Sequence, residues 1–470
     1  MFKLALNIIL CFLFVQAQNG TTRKPDQVIQ LFRHGARAPL EAYDPSWASS
    51  DLGRLTVLGL KQQFYLGKNI SELYPELVGS TYSPDNISVL ANNVNRCIDS
   101  AIVQLSTLYL GKNSTLMNDS NPQEIEQSSL MQQLDDHLPE SEKFSGDVVP
   151  VQVDVVDSTN EIVFLGQSPQ YCPNLNTWIG ENHNDARAQE IWSLFSDSIA
   201  TVNKNLSEEQ QITHIDNEII FADVLVANLA ANKAIPGDVT DPTLIHNLTY
   251  ALGWFIFHNN QAQEIQKQLT SFNTFQAFLG QLASFREGQQ DAKKLAFYSG
   301  HDTNLISILG ALGILSDDCL EANFKSFAQN QTLVYPNCYF PYYSSDIIIE
   351  LYNRTVDPYV KFYYNNVSIS LCNNENATCS YQDFVALINN VTGNTSSETY
   401  QLKCNSTSDG KKKEIHALFF FGFIVLTVAF SLKFLNQKKD HYLLPVEKQG
   451  ADAVTSSSSA VEEEGGGGIQ

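Results

Sequence analysis

Three short, largely apolar runs in this chain are each followed by a loop and then by a stretch with helical apolar spacing. The first, residues 27–32 (QVIQLF), passes through a Gly- and Pro-containing loop into residues 55–77, where apolar positions recur at three- and four-residue intervals. Residues 87–91 lead in the same way into residues 96–110, and residues 295–298 lead through 299–303 into residues 304–315. Repeated units of this kind predict an α/β sheet, and ligands of such sheets gather at the carboxyl ends of the strands, where these three loops fall. Residues 161–260 are more polar and helix-rich and carry no comparable unit, so they read as a helical cap inserted into the sheet domain. Residues 346–352 and 359–369, rich in Ile, Val, Tyr and Phe, read as a β-hairpin.

Two further apolar runs do not belong to the sheet. Residues 1–17 place Lys3 before an apolar stretch that closes on Val15 and Ala17, the pattern of a removed secretory signal peptide. Residues 415–432 are almost wholly apolar and long enough for one transmembrane helix, which leaves 433–470 as a cytoplasmic tail ending in low-complexity Ser, Glu and Gly. Lysines flank that run on both sides, so charge bias does not orient it; the cleaved leader does, placing residues 18–414 outside the cytosol. Fourteen Asn-x-Ser/Thr acceptors, from Asn19 to Asn405, all precede the apolar run, as a lumenal or extracellular domain requires. The expected organisation is a sheet domain at 18–160 and 261–414 around a cap at 161–260, in a single-pass type I membrane protein. In the tail, Asp440, Leu443 and Leu444 have the spacing of an endosomal sorting signal, so the domain faces either an endosomal or lysosomal lumen or the cell exterior.

Composition narrows the partners. With 29 Lys and Arg against 51 Asp and Glu, the chain carries a net charge of −22, which repels nucleic acid and obliges any anion site to gather scarce arginines against the global field. Eight cysteines include Cys11 in the leader, and the remaining seven leave one thiol over. Cys372 and Cys379 are spaced to close a short loop, and no Cys or His cluster has zinc spacing.

The chemistry concentrates in the three loops. Arg33, His34, Gly35, Arg37 and Pro39 (RHGARAP) follow the first strand directly, so two guanidinium forks and an imidazole share one loop. The second helix begins with Arg96, and the third loop supplies His301 and Asp302 (SGHDTN), a candidate charge-assisted donor beside a candidate general acid. Any one of these residues alone reads as structural; together at three strand ends they form an oxyanion site with a nucleophile in it.

RHGARAP resembles the RHGxRxP signature of the histidine acid phosphatases, and SGHDTN followed by a helix resembles their second signature. The likeness runs over about residues 27–404 and is to the lysosomal and prostatic type. It implies an α/β sandwich of the phosphoglycerate-mutase-like kind, with a central mostly parallel sheet flanked by helices. It also implies hydrolysis of small phosphate monoesters without metal or cofactor, and homodimers. Carried over residue by residue, His34 is the nucleophile that forms a phosphohistidine and Asp302 the proton donor. Arg33, Arg37, Arg96 and His301 hold the phosphoryl oxygens. The arginines should keep His34 neutral by like-charge repulsion. A carboxylic acid as donor, with an ordinary pKa of about 3.9, implies an acidic optimum. The resemblance further implies disulfides between Cys172 and Cys404 and between Cys372 and Cys379; the usual partner of Cys338 is absent, Cys319 is the available substitute, and Cys97 is left free.

Where relatives carry a charged pair before the third arginine, this chain has Leu90, Asn93 and Asn95, which predicts altered support for Arg96. No cysteine is followed six residues later by Arg, no GxSxG elbow exists and no Asp-x-Asp-x-Thr loop appears, so thiolate, serine and aspartyl nucleophiles are excluded. Asp135, Asp136 and His137, and Glu181, His183 and Asp185, read as polar loop runs before metal ligands, and Gly310 and Gly313 as close-packing positions. A phytase or inositol-phosphate phosphatase is the alternative within the enzymes. A surface glycoprotein that uses the fold for binding is the alternative outside them. The acid next to His301 favours an enzyme, and the net negative charge favours small monoesters over heavily phosphorylated inositol.

Overall fold

In the computed structural model, strand β1 (Gln27–Arg33) lies at the centre of an eight-stranded sheet and is buried along its whole length. The structure describes residues 22–405, apart from residues 42, 44–45, 115–121, 141, 144–147, 156–161, 329–330, 354–355 and 373–375. The leader, the apolar run at 415–432 and the tail therefore lie outside the described residues, among which no helix is long and apolar enough to cross a membrane.

On one side of β1, strands β4 (Leu295–Gly300), β2 (Ile87–Ala91) and β3 (Asp154–Val155) follow in that order, all parallel, with Val28 opposite Leu295 and Arg33 opposite Gly300. On the other side stand β5 (Asp346–Tyr352), β6 (Tyr359–Tyr364) and β8 (Thr378–Ser380), each antiparallel to its neighbour, and β7 (Val367–Ile369) folds back on β6. The sheet is therefore mixed, and the expectation of a mostly parallel one is corrected. The reason is connection length: a parallel pair needs a crossover of a dozen residues or more, whereas β5 and β6 are joined by a short loop. β6 and β7 are joined by Asn365 and Asn366 alone, both at positive φ (46° and 64°). That Asn-Asn turn also splits the single strand expected over 359–369 into two.

Side-chain alternation divides the core between the two faces. Ile29 and Leu31 point to one face with Ala296, Tyr298, Ile347 and Ile349, while Val28 and Phe32 point to the other with Leu295, Phe297 and Ile348. The second face is covered by α1 (Val57–Leu73) and α2 (Asn95–Leu108), which pass so closely that a Cβ on Gly67 would stand 2.5 Å from the Gln104 carbonyl oxygen. α1 stops short of the expected residue 77 because Pro75 disfavours helical geometry at Tyr74.

The first face is covered by α7 (Pro242–Gln261), α8 (Glu264–Arg286) and α9 (Asp302–Ala311). The stretch expected to be a cap is helical throughout its latter part: α3 (Asn174–His183), α4 (Ala186–Leu194), α5 (Ser196–Asn203), α6 (Ile215–Ala230) and α7. Its apolar side chains, among them Phe221, Leu225 and Trp254, join the same continuous cluster as Ile29 and Leu31, so these helices are packed onto the sheet. Helix α10 (Asp317–Ala328) follows α9. Gly310 is a packing position, where a Cβ would meet Gln261 at 3.1 Å, but Gly313 is not: nothing stands near it, and its φ of +69° ends the helix in the left-handed region.

Disulfides join Cys172 to Cys404 and Cys372 to Cys379, as the resemblance implied, and Cys319 to Cys338, the substitute pair, which leaves Cys97 free and buried.

Candidate active site

The chain leaves β1 at Arg33 and enters a loop pinned from both sides. The His34 amide donates to the Gly300 carbonyl at the end of β4 (3.0 Å), and the Arg33 amide to the Ser345 carbonyl just before β5 (2.8 Å). Gly35 then passes against the first turn of α1, where a Cβ would stand 2.4 Å from the Gly59 oxygen, while its amide donates to Ser100 Oγ on α2 (3.1 Å). Only glycine fits that approach. The loop is thereby fixed with His34 2% exposed, Arg33 7% and Arg37 5%.

The loop also selects the tautomer of His34. Its Nδ1 lies 2.8 Å from the Gly35 carbonyl oxygen, which can only accept, so Nδ1 carries the proton and the Nε2 lone pair is left for nucleophilic attack. Burial first, and then the charges of Arg33, His301, Arg37 and Arg96, hold the imidazole well below its ordinary pKa. Neutrality was expected from the arginines; desolvation contributes more.

Three guanidinium groups surround this imidazole. Arg33 donates from Nη1 to the Pro341 carbonyl (2.8 Å), pairs through Nη2 with Asp302 Oδ2 (2.7 Å), and lies 4.6 Å over the Tyr343 ring. Arg37 also faces Tyr343, at 5.9 Å, and is gripped by Asp223 of α6, with Nη2 to Oδ1 at 2.8 Å and Nη1 to Oδ2 at 3.2 Å. Arg96, at the start of α2, has Nη2 3.5 Å from His301 Nδ1 and forms no ion pair with any described residue. The Nε atoms of all three arginines are buried without a hydrogen-bond partner among the described residues. A buried guanidinium donor left unmatched is costly, and an oxyanion with several lone pairs is the ligand that relieves three at once.

The third loop faces the first. His301 caps α9, and its ring centroid is 5.5 Å from that of His34. Its Nε2 lies 3.0 Å from Asn92 Oδ1, an acceptor, so the proton sits on Nε2 and Nδ1 accepts from Arg96. Burial and Arg96 push its pKa down to about 3. His301 is thus a neutral bridge that orients Arg96. Asp302 opens α9 with Oδ1 accepting from the Thr303 amide (2.7 Å) and Oδ2 on Arg33. Burial raises its pKa, but Arg33, His301 and Arg37 overcome that and bring it below the ordinary carboxylate range. Cys97 Sγ lies 3.7 Å from His301 Nε2, yet burial pushes its thiol up to about 12, which makes it packing and not a nucleophile.

All six residues singled out from the sequence, Arg33, His34, Arg37, Arg96, His301 and Asp302, converge here. Sequence reading missed Asn92, Asp223 and Tyr343. Asp223 had a signal, a single carboxylate within the apolar run FADVL; Tyr343 had none, being one of several tyrosines in the loop before β5. Asp185 proves to be a helix cap, accepting from the Ala188 amide (2.7 Å). A cavity of about 430 Å³ lined by Asp185, His258 and Asp317 among others shares no residue with the arginine cluster.

The family pattern described as "Histidine phosphatase superfamily (branch 2)" matches residues 26–365. Prostatic acid phosphatase of Bos taurus is 23% identical over 375 residues, 77% of this chain and 84% of that protein. Lysosomal acid phosphatase of Xenopus laevis is 24% identical over 475 residues, 95% of each chain. Among solved structures, the phytase from Citrobacter braakii aligns with a TM-score of 0.52 and 16% identity over 78% of this chain and 98% of its own, a likeness of fold.

Proposed function

Because this chain belongs to the histidine phosphatase superfamily, branch 2, we propose that it is an acid phosphatase that hydrolyses phosphate monoesters through a phosphohistidine on His34. The observation that supports this most is the pairing of a tautomer-fixed, neutral His34 with three arginines whose Nε donors have no partner among the described residues. Nε2 of His34 forms a bond to phosphorus as the bond to the ester oxygen breaks, and Asp302 protonates the departing alcohol. Arg33, Arg37 and Arg96 stay with the phosphoryl oxygens, where charge resides in a loose transition state, with His301 positioning Arg96. In the second half, Asp302, now a carboxylate, takes a proton from water as its oxygen attacks phosphorus, and His34 leaves neutral.

The ion pair of Asp302 with Arg33 supports the substrate as the source of the proton. A carboxyl held below its ordinary pKa is ionised in the free enzyme even in mild acid. A phosphate monoester has its second ionisation near pH 6, so a monoanion can bring the proton with it. Once its oxygens draw on Arg33, that proton moves to Asp302. Activity then falls as pH rises through about 6, because the substrate loses the proton, and this is the acidic optimum expected from the sequence.

The same reading places the domain in a lumen or outside the cell, tethered by residues 415–432. Three disulfides support an oxidising compartment, and the glycosylation acceptors Asn86, Asn205, Asn376, Asn390 and Asn394 are exposed. The test is a panel of alkyl and aryl monoesters with phytate, assayed from about pH 4 to about pH 8. Turnover of monoesters that peaks in acid is the expected outcome. Phytate as the preferred substrate would move the chain to the inositol-phosphate enzymes, and no turnover of any ester would leave a binding protein.

A further inference from the structure

We propose that Asp223, contributed by α6, is a positioning residue that selects which edge of the Arg37 guanidinium meets the phosphoryl group. A guanidinium has five N–H donors in a fixed plane. In Arg37 the two Nη1 donors are taken by the Ala38 carbonyl (3.1 Å) and Asp223 Oδ2 (3.2 Å), and one Nη2 donor by Asp223 Oδ1 (2.8 Å). The remaining two are the second Nη2 donor and Nε–H, and Nε is buried without a partner among the described residues. These two point the same way along one edge of the plane, the arrangement that binds two oxygens of a phosphoryl group. By occupying the opposite end, Asp223 removes the other orientations that a free fork would sample.

Asp223 is itself held. Its Oδ2 also accepts from the Leu40 amide (3.0 Å), in the loop that follows RHGARAP, so one carboxylate ties a helix of the cap-like layer to the phosphate loop. The side chain of Arg37 is 6% exposed and that of Asp223 19%, so the pair is only partly screened by water. Arg37 is kept charged: burial lowers its pKa, while Tyr343 and Asp223 raise it further.

Removing Asp223 has two opposite effects on the site. The arginine cluster gains one net positive charge, which favours any bound phosphate, whereas Arg37 loses the constraint that aligns it with the transition state. An alignment role therefore separates kcat from binding. The inference rests on the site being one for a phosphoryl group. Its first test does not depend on turnover: a crystal structure of the wild-type protein with bound vanadate should show Nε and Nη2 of Arg37 on the oxyanion. Contact through Nη1, or through neither, overturns the proposal. In the second, Asp223→Ala should lower kcat on 4-nitrophenyl phosphate by about 10- to 100-fold, with Asp223→Asn between it and wild type. Inorganic phosphate should bind the variants as tightly as wild type or more tightly by calorimetry. An unchanged kcat overturns the proposal, and so does a kcat loss matched by equal loss of phosphate binding, which marks a merely structural role. A wild-type protein that binds vanadate as expected but turns over no monoester defeats the phosphatase reading and leaves the role of Asp223 standing.

Discussion

His258 gives a test of how this protein holds together in acid. Both ring nitrogens face carboxylates, Nδ1 at 2.8 Å from Asp317 Oδ2 and Nε2 at 3.1 Å from Asp185 Oδ2, while Trp254 stacks on the ring at 4.5 Å. A neutral imidazole has one N–H, so only the imidazolium serves both. Burial lowers the pKa, but Asp317 and Asp185 raise it more, so the net direction is upward. Asp185 caps α4 and Asp317 begins α10, so the imidazolium on α7 ties three helices together. Glu181, Arg187 and Asp318 line the same cavity and set its remaining charge. A raised folded pKa means that the stabilisation is complete below the unfolded value of about 6.5 and is lost as pH rises through the folded value. Two charge-assisted bonds to carboxylates that are 38% and 21% exposed come, after screening, to about 2 kcal/mol. At roughly 2.1 cal/mol/K per residue, a unit of about 380 residues unfolds with about 0.8 kcal/mol/K of entropy, so His258→Gln should lower the melting midpoint by about 2.5 °C. Calorimetric melts of wild type and variant should show that gap at about pH 5 and almost none at about pH 9. An equal gap at both would refute the reasoning and assign the loss to packing against Trp254.

Two further outcomes follow from the site. Asp302→Asn should slow alkyl phosphates by about 100-fold or more while aryl phosphates, whose leaving groups need little protonation, lose far less; equal losses would make Asp302 structural. Cys97 should resist a thiol reagent in the native protein and appear as the single reactive thiol of residues 18–470 after denaturation without reductant, and a second thiol would contradict the disulfide pairs.

The parts of the structure that could be read from the sequence are those built from local signals. RHGARAP after QVIQLF and SGHDTN after a buried strand each put chemistry at a strand end, and the parallel register of β1 and β4 brings the two together. The antiparallel pair β5 and β6 was legible as a hairpin from its short connection, but the antiparallel pairing of β5 with β1 was not. Ile- and Tyr-rich strands buried on both faces look alike whichever way their neighbour runs. Tyr343 could not have been placed by pattern, and the lone carboxylate in FADVL marks Asp223 without naming its partner. Each reaches the arginines through tertiary packing, one from the loop before β5 and one from α6, and nothing within a few residues of either marks the contact. His301 shows the limit from the other side: its place at the end of β4 was legible, but its neutral, arginine-orienting state depends on Asn92, which stands 209 positions away in the chain.

The most direct test of the account is to trap the intermediate. Wild-type protein mixed with a ³²P-labelled monoester and quenched in denaturant should carry covalent phosphate that is stable in alkali and lost in acid. Peptide mapping should place it on Nε2 of His34, and His34→Ala should show neither label nor turnover. Turnover without any labelled protein, or label on another residue, would contradict His34 as the nucleophile.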